Sequence, residues 1–416
     1  MLRAPTLRKQ SSTDEELQIS NTVSGQNGRD LLPFILASLA MIGPFTIDTY
    51  LPAFPAMASS LDASMLEVQQ TLTAYLLPFA AAMLWQGALS DTLGRRRVIL
   101  WGLAIYVAAS VFCAAATNIE MLWLGRALQG LSAGVGMVVG RAMIRDLYDG
   151  AAAQRLMAKV GIIFATAPAL APILGGWIHA FFDWHAIFVF LALFGAALWL
   201  LVWRRLPETL PEAKRQPLSL RNLWAGYRSV FGNAAFMRLS IALACVFNGM
   251  FVYVLSAPVF LMTHLQLSAQ DFAWLFVPMV AGLMAGSLIS GRIAGLRTPQ
   301  QSIRLGFVLT AAACALNIAL NLNGNLGLPW AVLALPLFTC GLGVIMPGLQ
   351  LLALDLFPDR RGMASSCQGT VHTGVNALVA GVVVPVFWGS TLTLAAGMAV
   401  FLLLAVAVYA SGQLRA

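Results

Sequence analysis

Charged residues are scarce in this sequence, where they make up 10% of 416 residues, whereas about 25% is usual for a soluble domain. Hydrophobic residues make up 59% of the chain. This composition excludes an ordinary soluble protein, and we expect most of the chain to contact lipid or other membrane helices. The net charge of +8 does not indicate nucleic-acid binding, because the basic residues are scattered between apolar segments.

The sequence also lacks the patterns that metal sites, disulfide frameworks and ATP-driven pumps require. Its five cysteines lie within apolar segments and show no CxxC or Cys/His ligand spacing, so we expect buried, unreactive thiols and no metal. No GxxxxGK[ST] phosphate loop is present, which argues against a primary pump. Since no nucleophile–base set stands out, we expect neither an enzyme nor a cofactor.

The N-terminal residues 1–29 are rich in Ser, Gln, Asn and Glu. They lack the apolar segment that follows the basic residues of a signal peptide. We therefore expect a disordered cytoplasmic tail over 1–29 and an uncleaved first membrane helix after it.

Apolar segments long enough to cross the ~30 Å hydrocarbon core recur along the rest of the chain. A polar stretch divides them into two sets of six, which predicts an all-α membrane protein with twelve transmembrane helices. We assign an N-terminal six-helix bundle to 30–203, a cytoplasmic linker to 204–235 and a C-terminal six-helix bundle to 236–416, and we predict a short amphipathic helix within the linker over Leu220–Phe231. The predicted spans 1 to 12 cover 31–51, 67–89, 98–117, 121–143, 156–179, 184–203, 236–262, 270–292, 302–322, 328–354, 363–387 and 391–411.

The distribution of Lys and Arg predicts the orientation of these spans. The six loops on one side, near 52–66, 118–120, 180–183, 263–269, 323–327 and 388–390, contain no Lys or Arg. Basic residues collect in the segments on the other side, together with both ends of the chain. The positive-inside rule therefore places both termini in the cytoplasm.

Asp48 is the one carboxylate that falls well inside a predicted span. A charge at that position costs roughly 2.5–3.5 kcal/mol on insertion scales, so it indicates a functional site. Span 4 carries Arg126 at a similar depth, and we expect the two to lie close together, directly or through Gln129 or a water. A static salt bridge is the alternative to a proton-coupling pair.

Polar and aromatic side chains at mid-depth are candidates for a substrate cavity. They are Tyr50 in span 1, Gln129 in span 4, Phe247, Asn248 and Phe251 in span 7, and Gln368, His372 and Asn376 in span 11. Helix–helix packing is the alternative role for each of them, and His372 in particular is expected to be structural and not a second proton site. Asp355, near the end of span 10, is expected to pair with an Arg.

Two further stretches suggest conformational roles. The turn GALSDTLGRRR between spans 2 and 3 contains glycines for a tight turn, and its Asp91 can cap a helix N-terminus or pair with an Arg. Span 5 contains ATAPALAPILGGW, with Pro168, Pro172, Gly175 and Gly176. These residues serve either close packing or a hinge, and the sequence leaves both open.

The turn resembles the G-x-L-x-D-x-x-G-R-R signature of the major facilitator superfamily, which Gly87, Leu89, Asp91, Gly94, Arg95 and Arg96 match. Four other stretches, IDTYLPAFP, LGRALQG, APALAPILGG and RAMIRDLYD, together with LDLFPDRRGMASS, resemble motifs of twelve-span drug:proton antiporters, most closely the Bcr/CflA group of bacterial multidrug efflux proteins. The resemblance covers about 31–411. It departs at GSLISGRIAG, where Gly291 replaces an acid, and in span 1, where Ala40 and Pro44 occupy the levels at which some relatives carry a second acid.

The resemblance implies the major facilitator fold, a bacterial inner-membrane location and proton-coupled efflux of small hydrophobic or drug-like molecules. Its implied partners are these substrates, protons and membrane lipid, and the protein is expected to function as a monomer without nucleic acid. The residues of the turn would form a conformational switch, and those of span 5 a hinge. A proton-coupled transporter of one specific metabolite is the alternative within the same fold.

Overall fold

The computed structural model describes residues 26–148, 150–215, 217–322 and 327–412, and these residues form helices and no strand. Within these ranges, twelve spans are long and apolar enough to cross a membrane, which confirms the predicted all-α fold. Most of the predicted tail, residues 1–25, lies outside the described residues. Spans 1 to 12 cover Leu31–Ser60, Met65–Leu93, Arg95–Ala114, Ile119–Leu147, Lys159–Phe181, His185–Arg205, Ala234–Leu255, Ala269–Ile293, Pro299–Leu322, Trp330–Asp355, Arg361–Phe387 and Thr391–Ala410.

Span 1 ends later than the sequence suggests, and its helix begins at Gln26, before the start of the span. Its first helix is Gln26–Asp48, and a 3₁₀ turn, Leu51–Ala53, and a second helix, Phe54–Ser60, continue it. Pro52 and Pro55 lie in the first turns of the later two elements, where a missing N–H costs little, so they restart the helix and do not end the span. Asp48 therefore lies deeper within the span than the predicted end at residue 51 implied.

Helix contacts fall into two sets, one among spans 1 to 6 and one among spans 7 to 12. Span 2 packs on span 4, span 3 on span 6 and span 1 on span 5, while spans 9 and 8 pack on span 10 and span 7 on span 12. Contacts between the bundles run mainly from span 2 to span 11 and from span 5 to the start of span 8. A cavity between the bundles is thus bounded by these two pairs.

The linker contains a helix at Leu220–Phe231, as the sequence predicts. Tyr227 and Val230 are buried against residues of spans 7, 10 and 11, and the Tyr227 hydroxyl donates to the Leu84 carbonyl of span 2 at 2.5 Å. Trp224 is 73% exposed. We call the side of the molecule that carries this helix the linker side, and the other side the opposite side.

Candidate functional site

Arg126 is completely buried in span 4, between two aromatic rings. Its guanidinium carbon lies 4.3 Å from the centroid of the Tyr50 ring and 4.6 Å from that of Tyr75. Its Nη1 donates to the Thr46 carbonyl at 3.0 Å and to Gln129 Oε1 at 2.8 Å. The rings and these acceptors stabilise the buried cation without an ion pair, since desolvated cation–π contacts contribute about 2 kcal/mol each.

The Thr46 carbonyl is available because the first helix of span 1 ends two residues later, at Asp48. Carbonyls in the last turn of a helix have no partner within that helix, and the helix dipole favours a cation there. Arg126 therefore caps the end of this helix. The Thr46 hydroxyl contacts the Tyr106 hydroxyl at 2.7 Å and extends the polar cluster to span 3.

The predicted contact between Asp48 and Arg126 is absent. Asp48 is 4% exposed, its Oδ1 has no hydrogen-bond partner, and no ion pair joins the two residues among those described. Gln129 does not bridge them either, because its Nε2 donates to the Ser110 hydroxyl at 2.8 Å. A direct pair and a bridge through Gln129 are therefore not formed in this conformation, because the rings and the helix end supply the partners of Arg126; closeness through a water stays a prediction.

Asp48 lines a central cavity of about 370 Å³ between the two bundles. It is the only carboxylate among the described residues of the cavity wall. No group of three His, Cys, Asp or Glu side chains in the described part of the chain is placed to hold a metal ion. The wall is largely apolar and contains five methionines and five phenylalanines: Met83, Met137, Met250, Met279, Met346, Phe79, Phe164, Phe247, Phe251 and Phe276.

Five of the predicted cavity residues line this space: Phe247, Phe251, Gln368, His372 and Asn376. The His372 ring meets that of Phe247 edge-on, with centroids 4.5 Å apart. Asn248 is completely buried behind the wall and donates to Asn376 Oδ1 at 2.7 Å, so it positions a cavity residue.

Tyr50 and Gln129 do not line the cavity. Tyr50 packs on Arg126 and its hydroxyl contacts that of Thr71 at 2.8 Å, while Gln129 connects Arg126 to Ser110. Their expected role in the cavity is therefore corrected to one in the polar cluster around Arg126. The sequence alone could not assign the helix face on which either side chain lies.

Arg141 is a cavity residue to which the sequence assigned no individual role. It follows Met137 by one helical turn, and both line the cavity, as residues four apart share a helix face. The four-residue spacing between Met137, within an apolar span, and Arg141 was therefore a signal in the sequence that Arg141 shares a helix face with residues of that span. The methionines carried a weaker signal, because nothing in their spacing separates a cavity wall from a packed core.

The cavity continues toward the linker side and is closed on the opposite side. Met83, Met137, Arg141 and Ser365 line both the cavity and a second pocket of about 340 Å³ next to the linker helix. On the opposite side, Gln70 Nε2 donates to the Gly381 carbonyl at 2.8 Å, joining spans 2 and 11. The turn in span 1 also contacts the start of span 8 there.

Two glycines of span 5 allow this closure. A Cβ at Gly175 would collide with the Thr49 carbonyl of span 1, and one at Gly176 with the Ala269 carbonyl of the other bundle. Pro168 lines the cavity, and Pro172 is buried within the same uninterrupted helix, Gly150–Phe181. The glycines thus serve close packing in this conformation, and the hinge stays a prediction.

The turn between spans 2 and 3 forms a network of charges at the linker side. Arg95 contacts Asp91 at 2.5 Å and Asp146 of span 4 at 3.0 Å, and donates to the Ser90 hydroxyl at 2.6 Å. Gly87 and Asp91 line the linker-side pocket. The network therefore connects spans 2, 3 and 4 beside the mouth of the cavity.

Glu208, from the linker, caps the N-terminus of span 3. It accepts from the backbone N–H of Arg95 at 2.9 Å and of Arg96 at 3.2 Å. Gly94 has a φ of +99°, and a Cβ there would collide with the Glu208 carboxylate. Asp91, expected to cap this helix or pair with an Arg, therefore does the latter, and a linker residue that the sequence did not single out provides the cap.

Near the other end of the chain, Asp355 pairs with Arg361 at 3.0 Å, which confirms the expected partnership with an Arg. The segment Gly286–Gly295 is the counterpart, in the second half of the chain, of the turn between spans 2 and 3, and its Gly291 has open space around it. The charge network of the first bundle is thus not repeated at that position.

Comparison with known proteins agrees with this architecture. Residues 36–381 match the family model of the Major Facilitator Superfamily. An uncharacterised transporter of this type, YdgK of Bacillus subtilis, is 33% identical over 84% of this chain and 87% of its own length. The bicyclomycin resistance protein homologue of Haemophilus influenzae is 26% identical over 84% of this chain and 87% of its own length. The multidrug transporter MdfA of Yersinia pestis is 28% identical over 84% of this chain and 85% of its own length.

The family and these relatives are transporters and not enzymes. The matched residues 36–381 belong to both bundles and the linker between them, and they include the cavity residues named above. The twelve spans, the turn motif and the relatives agree: the chain belongs to the major facilitator superfamily, and within it resembles the multidrug efflux transporters of the Bcr/CflA group.

Proposed function

We propose that this protein exports small, mostly hydrophobic, drug-like molecules in exchange for protons. The observation that carries the proposal is the position of Asp48, the one carboxylate among the described residues lining a large apolar cavity. A proton-coupled antiporter needs a group in the substrate cavity that can hold either a proton or a substrate. Asp48 meets this requirement.

The environment of Asp48 gives the coupling its physical basis. Asp48 Oδ1 is buried without a hydrogen-bond partner, which costs free energy when the carboxylate is ionised, and a negative charge at the C-terminal end of a helix adds about 0.3–1 kcal/mol. A bound proton or a cationic group of a substrate removes this cost. The two therefore compete for Asp48, and opening of the cavity to either side changes the competition by admitting water.

The remainder of the cavity supports a broad range of substrates. Methionine side chains are flexible and polarisable, and aromatic rings offer flat apolar surface, so such a wall can repack around unlike molecules. The few polar groups, among them Gln368 and Asn376, could orient a ligand. A site for one metabolite would instead need a dense set of fixed polar partners.

The same proposal includes the setting of the protein. We propose a bacterial inner membrane as its location, with the linker side in the cytoplasm because basic residues collect there, so that the cavity in this conformation faces inward. Proton entry down a 100 mV potential would supply ~2.3 kcal/mol for each proton. The protein works as a monomer and without a cofactor.

The test is transport by purified protein in liposomes with an imposed pH gradient, using several unrelated fluorescent drugs. Asp48→Asn removes the proton site with little change in volume. We expect it to abolish accumulation driven by the pH gradient while drug exchange without a gradient continues. Asp62→Asn, at an exposed position near the opposite side, is the matched control and should behave like wild type.

Wild-type accumulation by Asp48→Asn under a pH gradient would refute the coupling role of Asp48. Transport of a single compound from a chemically diverse panel would favour the alternative of a specific metabolite transporter. Exchange in both variants shows that the protein is folded, so a loss of coupling is separable from misfolding.

A further inference from the structure

Arg141 occupies an unusual place for a basic residue of this protein. It lies in the second half of span 4, in the helix Val135–Leu147, and it lines both the central cavity and the linker-side pocket. Arg145, one turn further along the same helix, lines the linker-side pocket alone. Arg141 is thus positioned at the junction, where a molecule passing between the two spaces must meet it.

The acids near Arg141 have other partners. Asp91 and Asp146 both contact Arg95, and Asp146 also accepts from the Thr209 hydroxyl at 2.9 Å. No ion pair or hydrogen bond of the Arg141 side chain occurs among the described residues, although the side chain is exposed to the cavity system. Its five N–H donors therefore remain available to a ligand.

Asp48 does not neutralise Arg141 either. Arg126 reaches the Thr46 carbonyl, two residues before Asp48, and Arg141 follows Arg126 by 15 residues, or about 22 Å along a helix at 1.5 Å per residue. The cavity is therefore acidic toward its closed end and basic toward its open end. The cavity wall that carries both charges includes the five methionines and five phenylalanines named above.

We propose that Arg141 binds the anionic group of amphiphilic substrates, so that the cavity takes aromatic carboxylates and zwitterions in addition to neutral and cationic molecules. The planar guanidinium matches a carboxylate with two parallel hydrogen bonds. The apolar body of such a molecule lies against the methionines and phenylalanines. This inference rests on the proposed function, because it names a class of molecule for the same cavity.

Binding of two matched probes to the purified protein in detergent tests the inference. The probes are 2-naphthoate, an anion at pH 7, and 2-naphthamide, which has the same ring system and no charge. Isothermal titration calorimetry is done with wild type, Arg141→Gln and Arg141→Lys. We expect Arg141→Gln to weaken 2-naphthoate binding about tenfold or more, since charge-assisted hydrogen bonds are lost, and Arg141→Lys to weaken it less.

The control is Arg145→Gln, which removes the same charge one turn away from the cavity wall and should bind 2-naphthoate like wild type. Binding of 2-naphthamide to Arg141→Gln should stay within about twofold of wild type, which shows that the cavity is intact. Equal weakening of both probes, equal weakening by Arg145→Gln, or unchanged 2-naphthoate binding by Arg141→Gln would overturn the inference.

The two proposals can fail separately. If wild type binds 2-naphthamide and does not bind 2-naphthoate, Arg141 is not an anion site, while proton-driven efflux through Asp48 is unaffected. If 2-naphthoate binding depends on Arg141 but Asp48→Asn retains coupled transport, the anion site stands and the coupling proposal fails.

Discussion

Removal of the Glu208 cap is expected to loosen the start of span 3. Glu208 Oε1 accepts from the N–H groups of Arg95, Thr209 and Leu210, and Oε2 from that of Arg96. The bonds from Arg95 and Arg96 cap the helix, and those from Thr209 and Leu210 fix the linker backbone around the same carboxylate. The carboxylate thus joins the linker to the first bundle beside the charge network of Arg95.

The expected magnitude follows from the number and kind of these bonds. Helix caps typically contribute about 0.5–2 kcal/mol, and an anion near a helix N-terminus adds about 0.3–1 kcal/mol. Because Glu208 is half-buried, water can replace some of the hydrogen bonds that the carboxylate accepts. We therefore expect Glu208→Ala to destabilise the start of the helix by about 1–2 kcal/mol. Glu208→Gln keeps one acceptor oxygen and should cost about half as much.

Hydrogen exchange measured by mass spectrometry is the assay, because it reports on the backbone N–H groups themselves. A local cost of 1–2 kcal/mol corresponds to roughly 5–30-fold faster exchange of the Arg95 and Arg96 amides. Glu212→Ala is the matched control, since Glu212 is an exposed linker acid whose side-chain partner is Arg215 at 3.1 Å. Unchanged exchange at Arg95 and Arg96 in Glu208→Ala would refute the capping role.

Three other substitutions test separate parts of the structure by thermal unfolding in detergent. Gly176→Ala should lower the midpoint of thermal unfolding, because its Cβ meets a carbonyl of the other bundle. Gly161→Ala, at a position of the same helix with open space around it, should not lower it. Equal midpoints for the two variants would contradict the close packing at Gly176. Tyr227→Phe should cost about 1 kcal/mol by removing the hydrogen bond to span 2, and a wild-type midpoint would show that this bond contributes nothing. Tyr75→Leu should destabilise more than Tyr75→Phe, which keeps the ring over Arg126, and the reverse order would exclude a cation–π role.

The number of spans and their division into bundles were readable from the sequence because a bilayer imposes a length and an apolar composition on each helix. The linker helix Leu220–Phe231 was readable for a similar reason, since its apolar residues repeat at the helical period. The end of span 1 was not readable from the sequence, because Pro52 and Pro55 are compatible with a loop or with the start of a new helix.

The candidate site was only partly predictable. Asp48 and Arg126 stood out because charges are rare within spans, and both are buried in the structure. Their partners could not be predicted, since a guanidinium can be stabilised by a carboxylate, by free carbonyls or by aromatic rings. Arg141 was overlooked for the opposite reason: near the end of a span, a basic residue resembles an ordinary topology signal.

The sequence by itself determined the class of protein, the twelve spans and the presence of one carboxylate deep in the membrane. Its hydrophobic pattern and its scarcity of charge suffice for this, because they follow from the solvent that each segment meets. Tertiary structure decided which charged groups meet. The faces of spans 1, 2 and 4 that pack together direct Arg126 toward two tyrosines and leave Asp48 and Arg141 on the wall of one cavity.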